Sequence, residues 1–177
     1  LAAATSAGDQ ADIITLLLAV ADGGFAPSEP YVLEFVEQVS ALSGGQIIIE
    51  PLWEAGNVTD AGYESGTIQL VREGDAELGL TGARAWDTVD VPSFQALKAP
   101  FLIDNDALAR AVATSDVAGQ MLDDLSAAGI VGLTLWPEDL RHLFSVVPDK
   151  PILVPEDVAG LRVRVIPSEV GNRLVTA

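Results

Sequence analysis

The run Gly160-Leu161-Arg162-Val163-Arg164-Val165 sets two guanidinium groups two residues apart among branched apolar side chains. In an extended strand, this spacing puts Leu161, Val163 and Val165 on one face and Arg162 and Arg164 on the other. Two readings are open. The pair is a solvated edge-strand face, or one guanidinium is held rigidly by the strand and offers a bidentate fork to a carboxylate. Arg141 makes either a surface salt bridge with Glu138 or Asp139 or a contact in a cleft. His142 beside it reads better as a packed or hydrogen-bonding residue than as a catalytic base. Trp53, Trp86 and Trp136 are core candidates. Trp86, in a loop after a strand, is the one best placed for a ligand, because loops at the carboxyl ends of parallel strands are where such sheets bind them.

Other chemistries find little support. The chain has no Cys, which excludes disulfides, thiolate-held zinc, iron–sulfur clusters and thiol catalysis. Its single His excludes any site with two His ligands. No phosphate-binding Gly-rich loop follows a strand, and no Gly-x-Ser-x-Gly elbow occurs. The many carboxylates leave room for a glycosidase-like pair, but none is singled out by its neighbours. Asn57-Val58-Thr59 is a formal glycosylation sequon, with meaning only in a eukaryotic secretory setting. No catalytic residue, metal or cofactor is assigned.

The 177 residues carry 26 acids and 9 bases, net −17, which argues against nucleic-acid binding and against docking on anionic lipid. The imbalance is local. Residues 1–137 hold 20 acids and 4 bases, whereas residues 138–177 hold 6 and 5. A body so acidic repels a free anion at long range, and salt screens that repulsion beyond about 8–10 Å. Anion capture would therefore need a cation fixed at short range.

The elements that must position these groups follow from hydrophobic periodicity. Asp12–Val20 reads as a strand buried on both faces. A helix follows, capped by Ser28 with Pro30 in its first turn, and Val32, Phe35, Val36, Val39 and Leu42 form its apolar stripe. Ser43-Gly44-Gly45 stops it. Gln46–Leu52 is a strand, Thr59–Glu73 a helix with Ile68 and Val71 inward, and Ala76–Thr81 a short strand. Strand–helix–strand–helix–strand predicts a parallel sheet with right-handed crossovers. Two helices are expected over 104–114 and 116–128, closed by Gly129, then strands over 130–136, 143–147 and 161–165.

The expected architecture is α/β: a mainly parallel sheet flanked by helices, with the start of a second α/β domain. The expected organisation is a flexible segment over 1–10, a first α/β ligand-binding domain over 11–137, and a hinge with the beginning of a second domain over 138–177. The small, polar first residues look like the stretch after a secretory signal. The start at Leu1 and the end inside an apolar, helix-like run suggest a piece of a longer protein. The longest early apolar run, Ile13–Ala21, is about half the ~20 residues a membrane-spanning helix needs.

Three segments, in order, resemble the solute-binding proteins of tripartite ATP-independent periplasmic (TRAP) transporters. The first is Glu64-Ser65-Gly66-Thr67-Ile68-Gln69 through Gly74-Asp75-Ala76-Glu77-Leu78-Gly79. The second is Ala99-Pro100-Phe101-Leu102-Ile103, similar to the family's Leu-Pro-Phe-Leu-Phe. The third and most specific is Arg141-His142-Leu143-Phe144, then Lys150-Pro151-Ile152, then Pro155-Glu156-Asp157-Val158-Ala159-Gly160-Leu161-Arg162-Val163-Arg164-Val165. The resemblance runs from about Phe25 to the end. It implies a periplasmic-binding-protein-like fold with two domains around a cleft, and a chain that corresponds to the N-terminal part. It implies that Arg164 pairs with the substrate carboxylate, with Arg141 a second contact. Trp86, the turn bearing Phe25, and Ser168 would face the ligand.

The resemblance further implies an extracytoplasmic protein, periplasmic, secreted or lipid-anchored through a removed N-terminal segment. It would capture a small organic acid and deliver it to the membrane permease of a TRAP transporter, without chemistry. Two other classes stay open at this point: a ligand-sensing domain of the same fold, and an acid/base hydrolase using carboxylates and His142.

Overall fold

The computed structural model describes residues 12–56, 62–146, 150–165 and 168–176. The sequon and the expected segment 1–10 lie outside the described residues, as does the start of the helix expected from Thr59. The chain divides into two compact units, one ending at Thr81 and the other beginning at Gly82. This division by packing falls well before the boundary expected at residues 137/138.

The first unit is a three-stranded parallel sheet. β1 (Ile14–Val20) lies at its centre, with β2 (Ile47–Leu52) and β3 (Leu78–Leu80) on either side. Ile14 is opposite Ile47 and Ala19 opposite Leu52; Leu18 is opposite Leu78 and Val20 opposite Leu80. The crossovers are α1 (Glu29–Leu42) and α2 (Tyr63–Glu73), as the alternating pattern predicts. Ile14 donates its N–H to the Gln46 carbonyl, so the even-numbered residues of β2 face β1 and Pro51 faces outward. Proline, with no N–H, is tolerated on such an edge.

Leu18, Val20, Val32 and Ile49 form the core of this unit, backed by Val36, Val39 and Trp53. Ile68 and Thr67 of α2 are fully buried. Two glycines permit the loop after β2 to cross α2: a Cβ on Gly56 would collide with the Tyr63 carbonyl, and one on Gly66 would meet the Gly56 oxygen at 2.7 Å. Gly74 ends α2 at φ +80°, in the left-handed region.

The structure departs from several expectations in this unit. β1 is buried only from Leu18 onward; Ile13 and Ile14 are 66% and 53% exposed. β3 is too short to cover the upstream half of β1, and the Glu77 carboxylate instead accepts the Leu17 N–H at 2.8 Å. Ser28 precedes α1 but does not cap it. Its backbone is already helical (φ −75°, ψ −21°), whereas a capping side chain needs the extended region. Phe35 and Leu42 of the predicted stripe are exposed.

The second unit is built from short helices. Two 3₁₀ turns, Ala83–Val89 and Pro92–Lys98, precede α3 (Asp106–Ala113) and α4 (Asp116–Asp123), which runs into a 3₁₀ turn over Asp124–Ala128. Asn105 caps α3 by accepting the Leu108 N–H at 2.9 Å, and Gly129 closes the last turn at φ +76°. Val91, Phe94, Met121, Leu125 and Ala128 form the core, with Trp86, Leu97, Ile130 and Leu135 against it.

The strands expected over 130–136, 143–147 and 161–165 are absent among the described residues. A strand needs a neighbour to satisfy its backbone groups, and no described segment pairs with any of the three. Val131, Leu133, Leu143, Phe144 and Val146 are exposed as a result. The chain closes with a 3₁₀ turn over Pro155–Val158 and with α5 (Glu169–Thr176).

Candidate functional site

Arg164 is set up by the turn before it. The Asp157 carboxylate accepts the N–H groups of Leu153 (2.8 Å) and Val154 (3.1 Å), and these bonds hold its pKa below the ordinary aspartate value. The Leu161 N–H donates to the Val158 carbonyl at 3.0 Å. Gly160, at φ +75°, reverses the chain into the segment 161–165.

That segment keeps the predicted alternation without a ladder. Leu161, Val163 and Val165 are half-buried, while Arg162 and Arg164 are exposed. Among the described residues, neither guanidinium forms an ion pair. Two exposed cations on one face, with no carboxylate spent on them, can receive an anion.

Downstream, Ser168 is half-buried and its hydroxyl accepts the Gly171 N–H at 3.0 Å, which caps α5. The next N–H, of Glu169, donates to Asp87 Oδ2 at 3.0 Å. The same oxygen accepts from Lys98 Nζ at 2.6 Å, and the two side chains are 7% and 16% exposed. Asp87 also lines a hollow of about 200 Å³ with Asp90, Val91, Pro92 and Gln95. The sequence reading missed both Asp87 and Lys98. The available signal was Lys98 itself, one of four bases in the first 137 residues.

The remaining predicted residues are dispersed. Arg141 is exposed and 3.9 Å from Glu138, the surface bridge that was one of its two readings. Trp86 is half-buried, with its ring 5.9 Å from that of Phe94 at 31°, so much of it is spent on the core. Phe25 is fully exposed in the first unit. Arg164, Ser168 and Trp86 share the second unit, and α5 links the first two to the turn that carries Trp86. Among the described residues, no group of three or more His, Asp or Glu is placed to hold a metal.

Residues 26–177 match the family described as bacterial extracellular solute-binding protein, family 7 (DctP). The chain belongs to this family of substrate-binding proteins. In the solved structures it is similar to the sugar acid binding protein DctPAm of Advenella mimigardefordensis, a complex with galactonate (22% identity, TM-score 0.72, 90% of this chain and 49% of that one). It is also similar to a TRAP periplasmic solute-binding protein of Sulfurospirillum deleyianum with bound succinate (22% identity, TM-score 0.76, 93% and 52%). A curated relative, the uncharacterized protein y4mM of Sinorhizobium fredii, is 27% identical over 147 residues, 80% of this chain and 25% of that protein. The chain thus spans about half the length of these structures, corresponding to their N-terminal part, and a quarter of the curated relative. The likeness bears out the expected periplasmic-binding-protein-like fold.

Proposed function

We propose that this chain is part of an extracytoplasmic solute-binding protein that captures a small organic acid and delivers it to a TRAP-type permease. Membership of family 7 supports the class, and the galactonate and succinate in the two solved relatives support a carboxylate ligand. Arg164 is the carboxylate anchor, Arg141 a second cation, and Ser168, Trp86 and Phe25 the surrounding contacts. The ligand-binding domain runs over 11–137, and 138–177 begins the second domain. Ligand transfer requires no chemistry on the acid.

One observation carries this reading: Arg164 alternates outward from half-buried neighbours behind the Gly160 turn, unpaired among the described residues. A guanidinium fork on a carboxylate gives charge-assisted hydrogen bonds of about 1.5–3 kcal/mol. Calorimetric titration of the encoded protein with succinate and with galactonate tests it. Arg164→Ala is expected to weaken binding of the accepted acid by about 2 kcal/mol or more, some thirtyfold, with the ligand-free thermal midpoint nearly unchanged. Arg164→Lys is expected to bind poorly as well, since a point charge cannot form the fork. Unchanged binding by Arg164→Ala overturns the assignment.

A further inference from the structure

The segment that carries Arg164 joins no sheet among the described residues. Between Ile130 and Val154 the described residues form no helix or strand, and the extended run 161–165 has no ladder. A fork that grips two carboxylate oxygens must nevertheless be fixed to a fraction of an ångström. Something outside the run has to hold it.

Asp87 makes a long-range tie to the segment that follows. Its Oδ2 bridges Lys98 Nζ at 2.6 Å and the Glu169 N–H at 3.0 Å, joining positions 82 residues apart. Glu169 opens α5, five residues after Arg164 and next to Ser168. α5 also packs against the Pro92–Lys98 turn that carries Lys98. The pair is partly buried, so it is screened by water and salt less than a surface pair would be. Lys98 neutralises a carboxylate that would otherwise be costly to bury, leaving Oδ2 fixed as an acceptor. Trp86 precedes Asp87 and its ring lies against Phe94, so the anchor belongs to a turn packed against the core.

We propose that Asp87, held by Lys98, is a positioning residue for the carboxylate site: it pins the start of α5 and thereby fixes the segment bearing Arg164 and Ser168. The proposal rests on the reading of Arg164 given above, and it adds two residues that touch no ligand.

Two measurements on the encoded protein decide it, using Asp87→Ala, Asp87→Asn and the double variant Asp87→Ala/Lys98→Met. The double variant strands no buried cation and covers the case in which Asp87→Ala fails to fold. Amide hydrogen exchange without ligand is expected to quicken about tenfold or more over residues 161–176, while β1 and α1 keep their protection. Asp87→Asn keeps an oxygen for the Glu169 N–H and is expected to show a smaller change. Unchanged exchange over 161–176, or equal quickening everywhere, overturns the anchor. Calorimetry with succinate and galactonate is expected to show about tenfold weaker binding of the accepted acid by Asp87→Ala, and no further loss when Asp87→Ala is added to Arg164→Ala. If Arg164→Ala abolishes binding and Asp87→Ala leaves it intact, the positioning role falls while the Arg164 reading stands. If Arg164→Ala binds normally, or the unaltered protein binds neither acid, the Arg164 reading falls and the positioning role with it; the exchange result still decides the anchor.

Discussion

The two units use the same kind of sequence to different effect. In the first, Ile47–Leu52 finds β1 as a neighbour and becomes a strand with its β1-facing backbone groups satisfied. In the second, Ile130–Trp136 and Leu161–Val165 are as rich in branched apolar residues, yet find no neighbour among the described residues and stay outside any sheet. Propensity nominates a strand; a partner makes it one. The second unit is held instead by side chains: the Phe94 core, the Asp87–Lys98 pair and the helix caps.

The contrast is broken most forcefully by removing apolar volume from each region. Ile68→Ala in α2 should lower the unfolding free energy by about 2–5 kcal/mol, whereas Val146→Ala, at a position 92% exposed, should change it by less than about 0.5 kcal/mol. Urea unfolding of both variants measures this, and similar losses would show that the exposed segment is packed in solution.

A single substitution type sharpens the comparison further. Gly66→Ala places a methyl against the Gly56 backbone and should cost about 1–3 kcal/mol. Gly119→Ala in α4 meets nothing within 4 Å and should stabilise by about 0.5–1 kcal/mol. Thermal midpoints of opposite sign are the expected result.

The smallest effect concerns the turn before Arg164. Asp157 has a folded-state pKa depressed by the Leu153 and Val154 N–H groups. A depressed carboxyl stabilises the folded turn above its unfolded pKa, and that contribution is lost as pH falls through the folded value. The amide signals of Leu153 and Val154 should therefore titrate together, with a midpoint below the ordinary aspartate range. Asp157→Asn should abolish the transition.

Local signals in the sequence went far. The order of β1, α1, β2, α2 and β3 follows from periodicity and Gly stops, and Gly74 and Gly129 end their helices in the left-handed region as their type demands. The alternation at 161–165 is also present, since it depends only on extended backbone. What failed was whatever depends on distant parts of the chain. The burial of β1 is set by where α1 and β3 end, Ser28 loses its capping role to a backbone already helical, and three apolar runs lack neighbours. The Asp87–Lys98–Glu169 contact joins residues far apart in sequence, and no motif spacing announces it.

Pro51 has a consequence for the molecule in crowded solution. An outer strand of a sheet is a ready template for cross-β growth, because its outward N–H and C=O groups can recruit another chain. At Pro51 that outward row lacks a donor, so an incoming strand cannot zip past it in continuous register. Among the described residues, Pro51 thus interrupts the outer row of the sheet where a further strand would have to pair.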